Sequence, residues 1–190
     1  AREEFFSNMD AANVDLKAFS EKFYKKICGG KLAAVLETLE YLKQETEVWF
    51  ELTTLLIPGE NDSPEELHEM TAYIAPLLPE EKPRYLMGVG LPENIEFAIN
   101  QGIDMFDCVA PTRLARHGHA FTSQGTISIK QHQYKEDKSP LDPQCNCSTC
   151  KNYSKAYLRH LFIAKELLIN TLMSYHNIHF LKQTIKKIKE

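Results

Sequence analysis

The sequence has no apolar run long enough to cross a bilayer, and its N-terminus has no basic segment followed by an apolar stretch. A membrane-spanning helix needs about 20 consecutive apolar residues, and a secretory signal needs a charged segment ahead of an apolar one. We therefore expect a cytoplasmic protein with no membrane partner. The 190 residues are 43% hydrophobic, which suffices for one ordinary core or two small ones.

Cysteine is sparse, and its odd count of 5 argues against a disulfide framework. Three of the five, Cys145, Cys147 and Cys150, nevertheless fall close together. Thiolates at this spacing can share one ion, and zinc prefers four ligands in a tetrahedron. Three downstream histidines are candidates for the fourth ligand: His160, His176 and His179. The pattern predicts a closed, structural Zn²⁺ site, and spacing alone leaves the choice of histidine open.

Positive charge is scarce in the first part of the chain, and the two parts differ in the sign of their net charge. Residues 1–75 hold 7 Lys and Arg against 15 Asp and Glu, a net charge of −8, whereas residues 76–190 hold 15 against 11, a net charge of +4. A basic second part is compatible with a polyanionic partner. Lysine-rich helix faces are also common as solvated surface, so charge alone identifies no partner.

Strand and helix patterns alternate along the first 111 residues. Runs rich in β-branched and aromatic residues predict strands, and helical spacing of apolar residues, Ser63 before Pro64 and glycine stops predict helices. The strands are expected at 13–19, 47–58, 84–90 and 103–111, and the helices at 21–30, 31–45, 63–78 and 92–102. This order predicts an α/β fold, a partial (β/α) barrel of about four parallel strands.

The pattern changes after residue 111. A hairpin is predicted with its turn near Gln124 and Gly125, followed by the cysteine loop and by two helices at roughly 153–172 and 176–189. We interpret this tail as a zinc-binding α+β subdomain appended to the barrel part.

Asp107 ends the predicted strand "IDMFDCVAP". In a barrel, the carboxyl ends of the strands open into the active-site mouth, where a carboxylate can act as a nucleophile or as a base. The alternative is that Asp107 only caps a loop or pairs with an arginine such as Arg113.

These motifs together carry a resemblance to a known family. The segment "RYLMGVGLPENIEFAINQGIDMFDCVAPTRLARHGHAF", followed by "PLDPQCNCSTCKNYSKAYLRHL" and "HNIHFLKQTIKKI", resembles the C-terminal part of bacterial tRNA-guanine transglycosylases over residues 76–190. The resemblance implies a (β/α)8 barrel with a zinc subdomain. It also implies a transferase that exchanges guanine at the wobble position of certain tRNAs for a 7-deazaguanine precursor of queuine.

Residue roles follow from the same resemblance. It implies that Asp107 is the nucleophile and that Met87 and Gly88 form the wall of the base pocket, while Arg113 and Arg116 contact the anticodon loop of the tRNA. It implies four zinc ligands: Cys145, Cys147, Cys150 and His176. In this family the zinc region lies near a homodimer contact, so a homodimer is a further expectation.

The first 75 residues depart from that family. The aspartate-serine-glycine motif that opens the family's active site is not found there, and the segment resembles the later half of a radical S-adenosylmethionine enzyme of the pyruvate formate-lyase activating type. Asp15-Leu16-Lys17 matches the strand that lies near the cofactor in that family, whereas the Cys-x3-Cys-x2-Cys cluster is absent and Cys28 alone cannot hold an iron–sulfur centre.

We therefore divide the chain into 1–75, a partial barrel segment, and 76–190, with a barrel part at 76–111 and a zinc subdomain at 112–190. This predicts a chimera joined near residues 72–76. Two functions follow from it. The first is a tRNA-guanine transglycosylase that acts through a covalent aspartyl-ribose intermediate. The second is a catalytically impaired, zinc-stabilised RNA-binding fragment, since the upstream residues that recognise the base are missing.

Overall fold

The computed structural model describes residues 2–55, 57 and 59–190, and the chain divides into two compact units, Ala1–Arg84 and Tyr85–Glu190. We call these the N-terminal unit and the C-terminal unit. Among the described residues, no helix is both long enough and apolar enough to cross a membrane.

The N-terminal unit is built on one parallel pair of strands. In chain order its elements are α1 (Arg2–Phe6), β1 (Ala11–Asp15), α2 (Glu21–Phe23) with a π-helical continuation (Tyr24–Cys28), α3 (Leu32–Glu45), β2 (Trp49–Thr53), α4 (Pro64–Ile74) and a 3-10 turn (Ala75–Leu77). The strands pair in register from Ala11 opposite Trp49 to Asp15 opposite Thr53. Helix α3 connects them, as a parallel pairing requires.

Local sequence signals explain where these helices begin and end. The Ser63 hydroxyl accepts a hydrogen bond from the Glu66 N–H at 3.1 Å and so caps α4, with Pro64 in its first turn. Gly29 ends the π-helical turn at φ 65°, a left-handed conformation that glycine adopts without a steric penalty. Both predicted boundaries are confirmed.

The apolar faces of the helices cover one face of the β1–β2 pair. Leu39 of α3 is fully buried against Leu16, Phe23 and Met70. Burial of an aliphatic or aromatic side chain contributes about 1.5–3 kcal/mol. The core of the N-terminal unit therefore lies between the strand pair and helices α3 and α4.

Asn61 joins the two chain segments that follow β1 and β2. Its side chain is 1% exposed, and its amide group donates hydrogen bonds to the Lys17 carbonyl at 2.6 Å and to the Leu55 carbonyl at 2.9 Å. Its carbonyl oxygen accepts from the Ile57 N–H at 2.6 Å. One buried side chain thus satisfies three backbone groups that no strand ladder reaches.

Replacing Asn61 with alanine is expected to lower the free energy of unfolding of the N-terminal unit by about 3 kcal/mol, because buried backbone groups lose their partners. Chemical denaturation followed by circular dichroism measures this loss. Asn8→Ala, at an exposed position, is the control and should change stability by less than about 0.5 kcal/mol. Equal stability of the two variants would contradict the role given to Asn61.

The C-terminal unit contains a second parallel pair, a hairpin and a helical tail. Its elements are β3 (Tyr85–Met87), α5 (Pro92–Asn100), β4 (Met105–Asp107), α6 (Ala110–Arg116), β5 (His119–Thr122), β6 (Gly125–Ser128), a 3-10 turn (His132–Tyr134), α7 (Ser148–Asn152), α8 (Lys155–Ile163) and α9 (Leu168–Lys189). β3 and β4 are parallel, with Met87 opposite Asp107. β5 and β6 are antiparallel.

The core of the C-terminal unit lies where α8 and α9 pack on the hairpin and on the cysteine loop. Its buried side chains include Ile129, Leu141, Leu158 and Met173, each 2% exposed or less. The cluster also contains Cys147 and Cys150, so the cysteine loop is part of this core.

Several predicted elements are found, and mixed helix and strand content is confirmed. All four predicted parallel strands occur and are shorter than expected, and β1 begins two residues before its predicted range. The hairpin turn, predicted near Gln124 and Gly125, lies at 123–124. Each parallel pair forms its own two-stranded sheet, so the partial barrel remains a prediction. The predicted strand at 47–58 extends over positions 56 and 58, which lie outside the described residues.

The predicted break between the last two helices was wrong. It was expected at 173–175, but α9 runs from Leu168 to Lys189 without interruption and the break lies after Ile163. Lys165 there has φ 60°, the left-handed conformation that ends α8. The sequence shows no glycine or proline at this point, so the usual stop signal is missing. Helices α1, α6 and α7 were not predicted.

Candidate functional site

Four predicted metal ligands come together in the C-terminal unit. The ligand atoms of Cys145, Cys147, Cys150 and His176 all lie within 4.8 Å of one another. From His176 Nδ1 the three sulfur atoms lie at 3.7 Å, 3.5 Å and 3.3 Å, in chain order. His160 lies in α8 outside this cluster, and His179 Nε2 contacts Asn146 Oδ1 at 2.8 Å instead.

The hydrogen bond on the other ring nitrogen sets the tautomer of His176. Its Nε2 lies 2.7 Å from the Phe121 carbonyl oxygen of β5, to which it can only donate. Nδ1 then carries the lone pair that faces the three sulfurs. This is the usual arrangement of a metal-binding histidine, whose second nitrogen is oriented by a carbonyl or carboxylate. The side chain is fully buried, and burial lowers the pKa of His176, which keeps its ring neutral.

The distances fit a tetrahedral zinc ion. Zn–S bonds of about 2.3 Å and a Zn–N bond of about 2.0 Å at tetrahedral angles separate sulfur from nitrogen by about 3.5 Å. The observed separations of 3.3–3.7 Å bracket this value. Burial, and then the neighbouring thiols, raise the pKa of Cys150, and a cation bound nearby would favour its thiolate. Burial also raises the pKa of Cys145.

Hydrogen bonds hold the cysteine loop against the hairpin and α9. Asp142 is 2% exposed and accepts from the backbone N–H and the hydroxyl of Ser123 at 3.0 Å and 2.9 Å. Thr149, fully buried, donates its hydroxyl to the Leu172 carbonyl at 2.8 Å. The Cys147 sulfur accepts from the Cys150 N–H at 3.3 Å and caps α7. The loop is therefore fixed by groups other than the ligands themselves.

Asn177 is a buried residue of the site that was not predicted. Its side-chain carbonyl accepts from the Phe121 N–H at 3.0 Å, and its amide donates to the carbonyls of Pro111 and His119 at 2.9 Å and 3.1 Å. The available signal in the sequence was a polar residue directly after the candidate ligand His176. Through Asn177, α9 holds both α6 and β5.

Asp107 lies at the end of β4, exposed to solvent, with both of its donors on one oxygen. The Tyr85 hydroxyl donates to Asp107 Oδ1 at 2.6 Å, and the Gly88 N–H donates to the same oxygen at 3.2 Å. These two hydrogen bonds, first that of Tyr85, hold the pKa of Asp107 below its usual value. The same contact with Asp107 raises the pKa of Tyr85. Asp107 is therefore an ionised, accessible carboxylate.

Met87 and Gly88, predicted as a base-pocket wall, lie beside Asp107. Met87 is 70% exposed and is the register partner of Asp107 across the strand pair. Gly88 donates its N–H to the carboxylate and has φ 79°, a left-handed conformation that other residues rarely adopt. Gly90 approaches Cys108 closely, because a Cβ at position 90 would lie 2.3 Å from Cys108 Cβ. The turn after β3 thus packs closely against the end of β4, through Gly88 at Asp107 and Gly90 at Cys108.

Arg113 and Arg116 are exposed on α6, three residues apart, which puts them on neighbouring positions of one helix face. Within the part of the chain that the structure describes, neither guanidinium forms an ion pair, and the alternative that Asp107 pairs with Arg113 has no support. Two unpaired guanidiniums on one face are available to an anionic ligand.

Comparison with known proteins agrees with this geometry. A family profile described as "Queuine tRNA-ribosyltransferase" matches residues 39–190. The queuine tRNA-ribosyltransferase of Aquifex aeolicus is 52% identical over 126 residues, which are 66% of this chain and 33% of that protein. The Helicobacter pylori (strain Shi470) protein of the same name is 56% identical over 128 residues, 67% of this chain and 34% of that protein.

The chain spans about a third of the length of the curated relatives that it matches. The profile nevertheless covers most of the chain and begins at residue 39, upstream of the resemblance found from 76 onward. It includes the strand end that carries Asp107 and all four residues of the cysteine–histidine cluster. On this evidence the chain belongs to the queuine tRNA-ribosyltransferase family.

Proposed function

We propose that this chain carries the nucleophile-bearing and zinc-binding part of a tRNA-guanine transglycosylase. The reaction replaces guanine at the wobble position of a tRNA anticodon by a 7-deazaguanine precursor of queuine. One observation above all supports this function: an ionised, accessible carboxylate, Asp107, at the carboxyl end of a parallel strand in a chain of this family. The names of its relatives support tRNA as the partner.

The chemistry proceeds in two displacements. A lone pair of the Asp107 carboxylate forms a bond to the ribose C1′, and the C1′–N bond breaks with its electrons leaving on guanine, which takes up a proton. The incoming base then attacks C1′, loses its proton, and the ester bond breaks to restore the carboxylate. Splitting one exchange into two steps is the advantage of covalent catalysis, and two inversions retain the configuration at C1′.

Neighbouring residues complete the proposal. Met87 and Gly88 line the space beside the carboxylate where a flat base would lie, since Met87 is exposed and directly opposite Asp107. Arg113 and Arg116 contact the phosphates of the anticodon loop, because guanidiniums form paired hydrogen bonds with phosphate. The target nucleotide must leave its stack to reach Asp107.

The metal in this proposal is Zn²⁺, held by Cys145, Cys147, Cys150 and His176. All four positions of a tetrahedron are then taken by protein atoms, so the ion stabilises the fold and activates no water. A partial barrel and a homodimer belong to the proposal as expectations of the family. The radical S-adenosylmethionine origin of the first segment stays a prediction, and the family match begins inside that segment, at residue 39.

A second candidate function is an RNA-binding fragment without turnover. It is favoured by Arg113 and Arg116, which are exposed and, among the described residues, form no ion pair. A nucleophile without base-recognition and general acid/base groups loses several orders of magnitude in rate.

Incorporation of labelled guanine separates the two functions. The enzyme is expected to label a tRNA with guanine at the first anticodon position and to leave a matched transcript with adenine there unlabelled. The label should increase with time until the wobble position is exchanged. Binding of the first tRNA without any incorporation would contradict the transferase and favour the binding fragment.

A further inference from the structure

We infer that Asp107 attacks through its Oδ2 atom, and that Tyr85 is a positioning residue which, with the Gly88 N–H, binds Oδ1 and controls the lifetime of the covalent intermediate. The inference rests on the proposed function and deepens it. It assigns a separate task to each carboxylate oxygen and a role to a tyrosine that the sequence did not single out.

The hydrogen bonds that other described residues donate to the Asp107 carboxylate are both on one oxygen. Tyr85 and Gly88 both donate to Oδ1, at 2.6 Å and 3.2 Å. No other described residue donates a hydrogen bond to Oδ2. An oxygen that already accepts two donors has its lone pairs engaged, so the other oxygen is the free nucleophile.

The strand pair fixes this arrangement. Met87 lies opposite Asp107 and Tyr85 opposite Met105, so Tyr85, Met87, Met105 and Asp107 all point to the same face of β3 and β4. All four are exposed. The Tyr85 hydroxyl reaches Asp107 diagonally across the pair, a distance that aromatic side chains span. The position of the Tyr85 donor relative to Asp107 is therefore set by the register of β3 and β4.

Formation of the ester changes the charge that these donors face. In the free enzyme the negative charge is shared between Oδ1 and Oδ2. When the Oδ2 lone pair bonds to C1′, Oδ1 becomes the carbonyl oxygen of a neutral ester and accepts hydrogen bonds more weakly. When the incoming base breaks the Oδ2–C1′ bond, its electrons return to the carboxylate and the donors bind a full anion again.

The two donors therefore favour release over attachment. A bond to ribose removes the negative charge of the carboxylate, as a bound proton does. Either change weakens the hydrogen bonds that Tyr85 and Gly88 donate. The contacts that keep Asp107 acidic also disfavour the ester and stabilise the carboxylate as a leaving group. The covalent intermediate is thus kept short-lived, which an exchange of bases requires.

Tyr85→Phe tests this assignment in the full chain. The variant removes one donor and keeps the ring on the same strand. We expect the pKa of Asp107 to rise, as read from the carboxyl signal of ¹³C-labelled aspartate in a pH titration, with the signal assigned by its loss in Asp107→Asn. We also expect the adduct with a tRNA transcript, resolved on denaturing gels, to be more abundant and slower to disappear after addition of guanine. The increase is up to about tenfold for each tenfold loss of Asp107 acidity.

Tyr157→Phe is the matched control, because Tyr157 is 41% exposed and its hydroxyl makes no hydrogen bond to the residues that the structure describes. It should change neither readout. An unchanged Asp107 pKa in Tyr85→Phe overturns the inference, as does an adduct that is equally or less abundant than in the parent chain.

The two readouts also separate this inference from the function on which it rests. If the pKa rises but neither the parent nor the variant forms an adduct, the transferase proposal fails while the contact between Tyr85 and Oδ1 stands. If adducts form and the pKa does not move, the transferase stands and the role of Tyr85 fails.

Discussion

Replacing His176 with alanine is expected to abolish zinc binding and to unfold the C-terminal unit. The substitution removes the only nitrogen ligand of the cluster and the hydrogen bond to the Phe121 carbonyl. Structural zinc contributes apparent binding free energies of about 10–16 kcal/mol in small domains. A loss of even about 4 kcal/mol lowers the melting temperature of a unit of this size by roughly 20 °C.

Metal content by mass spectrometry and thermal unfolding by circular dichroism measure the two effects. The parent chain should hold one zinc per molecule and lose helix signal when a chelator removes it. His179→Ala is the matched control, since His179 lies one turn further along α9, contacts Asn146, and is not a ligand. His176→Ala with one bound zinc and the parent melting temperature would contradict a metal centre at this position.

Asp107→Asn is expected to reduce guanine exchange by at least about 10³-fold, the scale on which loss of a nucleophile acts. The amide has the shape of the carboxylate and can still accept from Tyr85 through its oxygen. The amide has no anionic lone pair to attack C1′. We therefore expect the substitution to lower the exchange rate without changing the stability of the fold. Labelled-guanine incorporation and the denaturing-gel adduct report it, and the adduct should be absent.

Asp104→Asn serves as the control for a lost charge near the same strand. Asp104 lies just before β4 and pairs with Lys189 at 3.7 Å. This substitution should leave exchange within about twofold, because exposed ion pairs contribute little. Exchange by Asp107→Asn at a rate within tenfold of the parent chain would remove Asp107 from the reaction.

Sequence reasoning identified the features that depend on local spacing. The three cysteines, the Ser63–Pro64 helix start and the hairpin turn each lie within a few residues, and each is found as predicted. Among three histidines, however, spacing alone could not choose the ligand. The choice depends on which face of α9 meets the cysteine loop, and the packing of α9 on the hairpin decides that.

The misplaced helix break has a physical explanation. Ser174 and Asn177 are residue types that favour helix starts over helix interiors, so local preference does not oppose a break near them. In the structure His176 and Asn177 both make tertiary contacts instead: His176 faces the cysteines, and Asn177 forms hydrogen bonds with three backbone groups. These contacts override the local preference, and the helix continues through them.

The contact between Tyr85 and Asp107 was beyond sequence reasoning for a different reason. The two residues are 22 positions apart, and they meet only because β3 and β4 pair in one particular register. Parallel registers are set by the packing of the connecting helix, and no turn motif reports them. Sequence alone could therefore indicate the carboxylate but not the donor that controls it.

The amide of Asn177 links the cysteine–histidine cluster to the helix that follows the strand bearing Asp107. It follows His176 directly and donates to the Pro111 carbonyl, in the first turn of the helix that begins three residues after Asp107. In a mutational scan that selects for the proposed activity, we therefore expect substitutions at 176 and 177 to score with those at Asp107, although His176 and Asn177 act by holding the fold together. Only a scan that also records protein abundance would tell the two groups apart.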